Sequence, residues 1–264
     1  MKSSMLNGKT ALVTGSTSGI GLGIARALAE QGANLVFNGF GDAQEIEKLH
    51  TEVGAQFGVR TAYHNADMSK PAEIEAMMAF AGEKFGGVDV LVNNAGIQYV
   101  ANIEDFPPEK WDAIIAINLS SAFHTSRLAL PGMKQKNWGR IINLASVHGL
   151  VGSAQKSAYV AAKHGLVGFT KVTALETAQT GVTCNAICPG WVLTPLVQKQ
   201  VDDRARREGI SVEEAKKALL AEKQPSGEFV TPEELGALAV FLSSPAANQV
   251  RGVAWNMDGG WTAQ

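Results

Sequence analysis

The chain has 264 residues with a formal net charge of -2, and 45% of them are hydrophobic while 18% are charged. This length suits one α/β domain with a sizeable core. Because Lys and Arg are spread along the chain and do not outnumber the acids, we expect no nucleic-acid partner. The charged fraction lies below the roughly 25% typical of soluble domains, which predicts apolar surface covered in a homo-oligomer.

The N-terminal residues 1–10 contain no apolar stretch typical of a signal peptide, so a cytoplasmic protein is expected. The longest uncharged stretch, 177–198, is interrupted by Asn, Gly and Pro, so we expect no membrane-spanning segment and no membrane partner. Cys184 and Cys188 lie in one strand-like run, and a rise of ~3.3 Å per residue separates them by ~13 Å, too far for a disulfide. We therefore expect two buried free thiols, and we predict no metal site.

Short apolar runs alternate with longer helix-like segments along the chain. The runs are continuously apolar, as in strands of a parallel sheet that helices cover on both faces. They predict strands at TALVT, NLVFN, VDVLVNN, RIINLAS and VTCNAIC, with a further strand before Asp67. The predicted fold is therefore α/β, a doubly wound parallel sheet of the Rossmann type. Residues 1–264 are expected to form a single dinucleotide-binding and catalytic domain.

Two predicted helices carry apolar and small residues on more than one side. They lie between Trp111 and Leu130 and between Ala158 and Ala178. Such helices can pack on the sheet and on a second subunit at once. We therefore expect them to form subunit contacts.

Residues 191–226 differ in character and are expected to form a substrate loop and a small helical lid. Residues 201–224 are dense in charge of both signs, which is typical of a solvated helical insertion. The stretch before them, PGWVLTPLVQKQ, is expected to be a loop. Two capping boxes predict helix starts, one at Ser211 with Glu214 and one at Thr231 with Glu234. A surface helix pair and a mobile lid over a pocket both agree with this pattern.

A glycine-rich turn, TGSTSGIG, follows the first predicted strand and leads into a helix. Glycines at this spacing let the backbone turn tightly and approach a pyrophosphate, whose charge meets the helix N-terminus. The turn alone is a weak signal, because a plain structural turn has the same composition, but its place between strand and helix strengthens it. The cofactor contacts predicted here are Gly15, Thr17, Ser18, Gly19, Ile20 and Gly21.

The segment after the second predicted strand indicates which nicotinamide cofactor is used. Dinucleotide folds often place an acidic residue about 20 positions after the glycine turn, where it binds ribose hydroxyls. Gly39 occupies that position here, so the carboxylate is either absent or displaced to Asp42. Neither this segment nor the turn at Thr17 and Ser18 holds a Lys or Arg for a 2′-phosphate, which favours NAD over NADP. Phe40 is expected either to cover the adenine or to pack at the sheet edge.

Polar residues also follow the third and fourth predicted strands. Asp67 suits the adenine amino group, while the segment NNAG that ends at Gly96 offers small residues and backbone groups. Parallel sheets bind ligands at the carboxyl ends of their strands. We therefore predict that Asp67, Asn94, Ala95 and Gly96 contact the cofactor.

The strongest catalytic candidates are Asn118, Ser146, Tyr159 and Lys163. Tyr159 and Lys163 are four residues apart on one predicted helix and so share a face, and Ser146 follows a strand that reaches the same place. Hydride transfer to a ketone needs a proton donor, and a Tyr with its ordinary pKa of about 10 needs a neighbouring ammonium to lower that pKa. Lys163 is assigned this role, Ser146 the hydrogen bond to the substrate oxygen, and Asn118 the placement of a water that returns protons to Lys163.

The motifs TGSTSGIG, NNAG, Asn118, Ser146, YVAAK and the Pro189-Gly190 pair occur in the order typical of the short-chain dehydrogenase/reductase family. The chain resembles that family over nearly its whole length. The resemblance implies an NAD-dependent oxidoreductase that is usually tetrameric. The missing acidic residue after the second strand is the main departure from the family pattern. The resemblance adds these cofactor contacts: Tyr159, Lys163, Pro189, Gly190, Val192 and Thr194.

Four polar side chains are expected beside the catalytic group, namely Gln98, His148, Lys156 and Gln200. Each alone also suits a surface or structural role, but together they predict a small substrate with a carboxylate. The segments GIQ, SVHGL, CPGWVLTPLVQKQ and DGGWTAQ resemble the branch of the family that acts on a short 3-hydroxy acid. That resemblance implies reversible oxidation of (R)-3-hydroxybutyrate to acetoacetate, with Trp191 and Trp261 bounding the apolar part of the pocket.

Three other functions are compatible with parts of this pattern. A reductase of ketoacyl thioesters shares the catalytic residues, but it typically uses NADPH and needs room for a thioester arm. A short-chain reductase for another 3-hydroxy or 3-keto acid is also compatible. A non-catalytic NAD sensor or scaffold is disfavoured, because such proteins usually lose part of the catalytic set and all four residues are present here.

Overall fold

The computed structural model describes residues 4–263, apart from the side chain of Leu196. Within that range the strands are β1 (Thr10–Val13), β2 (Asn34–Asn38), β3 (Thr61–His64), β4 (Val90–Asn93), β5 (Gly139–Leu144), β6 (Val182–Pro189) and β7 (Ala254–Met257). The α-helices are α1 (Gly19–Glu30), α2 (Ala43–Phe57), α3 (Pro71–Phe85), α4 (Pro108–Ile115), α5 (Ser121–Gln135), α6 (Ser157–Glu176), α7 (Pro195–Glu208), α8 (Val212–Ala221) and α9 (Pro232–Ser243). The alternation of strands and helices predicted from the sequence is confirmed.

The strands form one sheet in the order β3-β2-β1-β4-β5-β6-β7, and every neighbouring pair is parallel. The chain runs outward in one direction from β1 to β3 and then returns to place β4 on the other side of β1. The prediction of a doubly wound parallel sheet is therefore confirmed. In such sheets the loops separate where the strand order reverses, and ligands bind there at the carboxyl ends of the strands.

The sheet is buried on both faces, and β1 shows this most simply. Ala11 and Val13 point into the core cluster that contains α1 and α9, whereas Leu12 points into the opposite cluster with α3 and α5. Full burial of one such aliphatic side chain contributes roughly 1.5–3 kcal/mol to stability. A strand that is apolar at every position therefore requires helices on both sides.

Helix α7 begins earlier than the sequence predicted. The stretch PGWVLTPLVQKQ was expected to be a loop, but α7 starts at Pro195 inside it. Thr194 is the N-cap, and its side-chain oxygen accepts from the Val197 N–H, while Pro195 at the first helical position has no N–H that needs a partner. Gln200 consequently lies on a helix rather than in a loop.

Helices α7 and α8 pack against each other over a small apolar core of their own, formed by Val197, Val201, Ala205, Ala215 and Leu219. Both predicted capping boxes are present, at Ser211 with Glu214 and at Thr231 with Glu234. The helical insertion predicted between 201 and 224 is therefore present as a helix pair. Its movement as a lid stays a prediction.

Strand β7 was not among the predicted strands. Its four residues pair with β6 from Ala186 to Pro189, yet they are only partly covered, so the apolar run that marks the other strands is missing.

Cys184 and Cys188 are free and buried as predicted, and burial raises the pKa of these thiols to about 12 and about 11. Within residues 4–263, none of the helices has the length and apolarity needed to cross a membrane.

Helices α1 and α9 approach closely because glycines lie at their contact. A Cβ added at Gly23 would lie 2.5 Å from the Pro232 Cβ and 2.9 Å from its carbonyl oxygen. Across the same contact, a Cβ at Gly236 would lie 2.8 Å from the Ala27 Cβ. The contact therefore has no room for a side chain at either glycine.

We expect Gly23→Ala to lower the free energy of unfolding by ~1–3 kcal/mol, because overpacking forces the two helices apart. Gly82→Ala is the matched control, since Gly82 is also helical and nothing lies within 4 Å of an added Cβ there. That control should gain up to ~1 kcal/mol from helix propensity. Urea unfolding measures both values, and equal effects of the two substitutions would contradict the tight contact.

Candidate active site

The loops at the carboxyl ends of the strands surround a cavity of about 570 Å³. It lies where the strand order reverses between β1 and β4, and the segments after β1, β2, β4, β5 and β6 all line it. The volume falls within the roughly 300–1,000 Å³ typical of small-molecule and cofactor sites. Every cofactor-contact and substrate-contact residue predicted from the sequence lines this cavity. The roles of the individual residues stay predictions.

The glycine turn after β1 has the backbone shape that a phosphate site requires. Gly15 and Gly19 have positive φ values of 63° and 55°, which are rare for residues with a side chain. Ser18 is the N-cap of α1 but makes no side-chain hydrogen bond to the first turn. The N–H groups of that turn are therefore available to a pyrophosphate, and the helix dipole favours its negative charge.

Hydrogen bonds from Asn94 hold the glycine turn in place. Its side-chain nitrogen donates to the carbonyl oxygens of Thr14, at 2.9 Å, and Gly15, at 3.0 Å. In return, the Thr14 hydroxyl oxygen accepts from the backbone N–H groups of Asn94 and Ala95, each at 3.0 Å. Asn94 was predicted as a cofactor contact, and the structure gives it this positioning role as well. Thr14 was not predicted, although a polar residue directly after a buried strand is the signal for it.

At the other side of the turn, Asn38 ends β2 and connects three strand ends. Its side-chain oxygen accepts from the Gly15 N–H at 3.2 Å, and its nitrogen donates to the carbonyl oxygens of His64 and Ala66 at 3.1 and 2.9 Å. Asn38 is almost completely buried, so an unpaired amide here would be costly. Asn38 was not predicted as a site residue. The sequence pattern that could have identified Asn38 is a single polar residue at the end of an apolar run.

The acidic residue expected in dinucleotide folds is excluded at Gly39. This glycine has a φ of 149°, and an added Cβ would lie 2.6 Å from the Thr17 hydroxyl oxygen. Asp42, the alternative position for the carboxylate, caps α2 instead, and its Oδ1 accepts from the N–H groups of Gln44 and Glu45. Among the described residues that line this end of the cavity, none is Lys or Arg. Among the described residues, this end of the cavity therefore has neither the ribose-binding carboxylate expected after β2 nor a cation for a 2′-phosphate.

Two predicted adenine contacts, Phe40 and Asp67, lie at this end. Phe40 is 67% exposed, so it does not pack at the sheet edge and its ring is free to cover a bound adenine. Asp67 accepts from the Ser69 N–H and hydroxyl at 2.9 and 2.7 Å, and the backbone bond is the main cause that lowers its pKa. The charged carboxylate can accept from an exocyclic amino group. The glycine turn, the exposed Phe40 ring and the Asp67 carboxylate together suit a bound dinucleotide.

Helix α6 brings Tyr159 and Lys163 to the opposite end of the cavity, as their spacing predicted. The Lys163 Nζ lies 5.5 Å from the centroid of the Tyr159 ring and donates to the Leu144 carbonyl oxygen at 2.6 Å. Ser146, which follows β5, lies at the same end of the cavity as Tyr159. These three side chains line the cavity together.

The pKa of Tyr159 differs from the expectation. Lys163 was expected to lower it, but burial raises it, and the nearby Ser146 side chain has the smaller, opposing effect. Burial also lowers the pKa of Lys163 to about 8, because the charged form loses its hydration. The ammonium is directed to the Leu144 carbonyl rather than to the Tyr159 hydroxyl, which explains why it has no dominant effect on the phenol.

Asn118 lies in a π-helical turn between α4 and α5 and does not line the cavity, unlike the other three predicted catalytic residues. Its side-chain oxygen accepts from the Ile97 N–H at 2.9 Å, and its nitrogen donates to the Ile97 carbonyl at 3.0 Å. Both polar atoms of this side chain are thus bonded to Ile97, and the predicted role of Asn118 in placing a water stays a prediction. Asn118 anchors the loop after β4, and π-helical turns of this kind are frequent at functional sites.

The predicted substrate end combines a cation with a neutral imidazole. His148 Nδ1 lies 3.3 Å from the Ser146 hydroxyl oxygen, and burial, followed by the charge of Lys156, lowers the pKa of His148 to about 4. Burial also lowers the pKa of Lys156, whose Nζ lies 5.2 Å from the centroid of the Trp191 ring. In its ammonium form Lys156 supplies a positive charge, while the neutral His148 supplies a hydrogen bond. Gln98 and Gln200 line the same end.

Aromatic side chains close this end on the apolar side. The rings of Trp191 and Trp261 lie 5.8 Å apart, and the ring of His148 lies 5.4 Å from Trp261. The backbone N–H of Trp191 donates to the side chain of Gln224 at 2.7 Å, which fixes the loop before α7. Gln224 is buried and was not predicted, since a glutamine at the end of a charged segment gives no sequence signal.

Comparison with known proteins gives a family match and full-length relatives. The model of the short chain dehydrogenase family matches residues 9–205. A D-beta-hydroxybutyrate dehydrogenase of Cupriavidus necator is 77% identical over 98% of this chain and 100% of its own. A protein of the same name from Rhizobium meliloti is 57% identical over 97% of this chain and 99% of its own.

Solved structures show the same architecture. An L-sorbose reductase from Gluconobacter frateurii, in complex with NADPH and L-sorbose, has a TM-score of 0.94 and 31% identity over 99% of each chain. The actinorhodin polyketide ketoreductase with NADPH has a TM-score of 0.90 and 37% identity over 97% of this chain and 98% of its own. From the family match and the full-length relatives together, this chain belongs to the short chain dehydrogenase family.

Proposed function

We propose that this protein catalyses the reversible, NAD-dependent oxidation of (R)-3-hydroxybutyrate to acetoacetate. The single observation that carries this proposal is the arrangement of Lys156, His148 and the two tryptophans beside Tyr159. One cation and neutral hydrogen-bonding groups suit one carboxylate, and the rings of Trp191 and Trp261 leave an apolar boundary for a short carbon chain. The two relatives named as D-beta-hydroxybutyrate dehydrogenases agree with this substrate.

The dinucleotide is held by residues at the carboxyl ends of the strands. The first-turn N–H groups of α1 suit the pyrophosphate, Asp67 and Phe40 suit the adenine, and Lys163 suits the nicotinamide ribose. The absence of a Lys or Arg at the described adenosine end supports NAD rather than NADP. When bound, NAD⁺ supplies the acceptor for the hydride that leaves C3 of the hydroxy acid.

The side chains of the protein then transfer the proton of the substrate hydroxyl and stabilise two negative charges, one on the Tyr159 phenolate and one on the substrate carboxylate. The Ser146 hydroxyl bonds to the substrate oxygen at C3, and Tyr159 in its phenolate form takes the proton of that hydroxyl as the carbonyl forms. In the reverse direction neutral Tyr159 returns the proton to the ketone oxygen. Lys163, whose Nζ lies 5.5 Å from the centroid of the Tyr159 ring, stabilises the phenolate through its positive charge. Lys156 holds the carboxylate and thereby directs C3 toward Tyr159.

A reductase of ketoacyl thioesters is the second candidate, because the actinorhodin ketoreductase shares this fold and binds NADPH. Such a substrate has no free carboxylate, so the partly buried Lys156 would face no partner. The adenosine end also lacks a described cation for the 2′-phosphate of NADPH. Both observations favour the free 3-hydroxy acid.

We further propose a cytoplasmic homo-oligomer, with four subunits as the expected number. Large apolar side chains are exposed on α5, where Phe123 is 48% exposed, and on α6, where Val172 is 53% and Leu175 77% exposed. These positions fall within the two helices predicted to contact other subunits. The free buried thiols agree with a reducing compartment.

Sedimentation velocity on the full chain measures the number of subunits. We expect the mass of four copies, and Leu175→Glu should reduce it, because a charge in an apolar contact costs several kcal/mol when unpaired. A monomer at all concentrations tested would contradict the proposal.

The function is tested by following NADH formation with (R)-3-hydroxybutyrate, using the S enantiomer and NADP as controls. We expect turnover only with the R acid and NAD. Tyr159→Phe should lower turnover by ~10²–10⁴-fold, because it removes the proton acceptor, while NADH fluorescence still reports binding. Turnover of ketoacyl thioesters with NADPH but not of the R acid would establish the second candidate, and near-normal activity of Tyr159→Phe would refute its role.

Lys156→Ala should raise the KM for acetoacetate by ~10–100-fold, the effect of losing a charged hydrogen bond, and leave the KM for its methyl ester nearly unchanged. Because the pKa of His148 is about 4, the wild-type KM should also stay constant as the pH passes the ordinary histidine pKa of about 6.5. Steady-state kinetics with both ketones measures this. Equal losses on acid and ester would mean that Lys156 does not bind the carboxylate.

A further inference from the structure

Gln155, the residue directly before Lys156, has an unusual backbone conformation. Its φ is +65°, in the left-handed region that residues with a side chain rarely adopt. Among the non-glycine residues that the structure describes, only Asn137 shares a positive φ. Asn is the residue type best suited to this region after glycine, whereas Gln is not, so the conformation of Gln155 must be held by its surroundings.

Two hydrogen bonds to the loop after β4 hold Gln155. Its carbonyl oxygen accepts from the Ala101 N–H at 3.0 Å, and its side-chain nitrogen donates to the side-chain oxygen of Asn102 at 3.1 Å. The same loop contains Ile97, which is bonded twice to Asn118. Gln155 is therefore connected to the body of the protein through a loop that is itself anchored.

The backbone direction at Gln155 determines where the next side chain goes. Lys156 is the N-cap of α6, with φ -122° and ψ 36°, and its side chain lines the cavity over the Trp191 ring. A lysine at a loop end has many rotamers and a strongly hydrated ammonium, so an unconstrained Lys156 would extend into water. Burial already disfavours its charged form, as the lowered pKa shows. Something must therefore restrict Lys156 to the cavity.

We propose that Gln155 is the positioning residue that holds Lys156 in the substrate pocket and thereby sets the preference for a carboxylate-bearing substrate. Gln155 is exposed and touches neither the reacting atoms nor the substrate end of the cavity, so it acts through Lys156. The loop that holds it also carries Gln98, which lines the same end. One loop after β4 thus places two of the four polar groups expected around the carboxylate. This inference rests on the proposed function and deepens it.

The experiment compares Gln155→Val with the matched control Asn137→Val. A β-branched residue strongly disfavours a positive φ, so both substitutions disturb a left-handed position, but Asn137 lies in the turn after α5 and away from the cavity. Gln155→Asn is the conservative variant, because Asn accepts this conformation. Kinetics are measured with acetoacetate and with its methyl ester, which has the same ketone and no charge.

We expect Gln155→Val to raise the KM for acetoacetate about tenfold and to change the KM for the methyl ester less than about twofold, as partial loss of a charged hydrogen bond predicts. Gln155→Asn should restore most of the acid preference, and Asn137→Val should alter only the thermal unfolding midpoint. Similar KM changes for acid and ester, or an equal effect of Asn137→Val, would overturn the proposal.

Asn102→Ala provides a second variant if Gln155→Val does not fold. It removes the side-chain partner of Gln155 without changing any backbone preference in the turn. We expect a smaller rise in KM, about threefold, and again only for the acid. If Asn102→Ala leaves the ratio of acid to ester unchanged, the proposed link between the loop and Lys156 is wrong.

A failure of the proposed function gives a different result. In that case the wild-type protein itself would show no preference for acetoacetate over the ester. Crystal structures of the wild type and Gln155→Val then decide the positioning role separately. Lys156 should leave the Trp191 ring in the variant, and an unchanged separation of 5.2 Å would overturn the proposal whatever the substrate is.

Discussion

The hydrogen bonds between Thr14 and Asn94 are the interaction on which the cavity most depends. They join the ends of β1 and β4, the two neighbouring strands between which the chain order reverses. Loops on either side of such a reversal run in opposite directions and leave a gap. Thr14 and Asn94 set the width of that gap at the glycine turn. Losing one partner would leave buried donors unpaired, at roughly 1–3 kcal/mol each.

The cavity has a charge pattern that suits ligands with several negative groups. Lys156 and Lys163 line one end, and Asp67 is the acid among its described lining residues, at the other end. Burial lowers the pKa of both lysines, because it removes hydration from each ammonium. A dinucleotide and a carboxylic acid bring the missing negative charge. The same burial raises the pKa of Tyr159, because the phenolate is the charged form of that side chain, so the lowered pKa that the sequence predicted is not found.

Most of the fold and the membership of the site followed from local sequence signals. Apolar runs predicted the strands β1, β2, β4, β5 and β6, a further strand was expected before Asp67, and two capping boxes predicted the starts of α8 and α9. Strand β7 was missed because its residues are only partly buried, and the start of α7 because Thr194 and Pro195 look like loop residues until the cap forms. The family motif predicted Asn118 as a catalytic residue, and the structure shows that its side chain also holds the loop after β4 through two hydrogen bonds to Ile97.

The sequence by itself determined the sheet type, the glycine turn, the pairing of Tyr159 with Lys163, and the lack of a cation for a 2′-phosphate. These depend on residue type and short spacing, which the chain carries locally. Only the tertiary structure decided that Thr17 leaves no room for a side chain at Gly39, that Gln224 holds Trp191, and that Gln155 directs Lys156. Each of these depends on contact between residues far apart in the chain or on a backbone angle, and neither can be read from residue type alone.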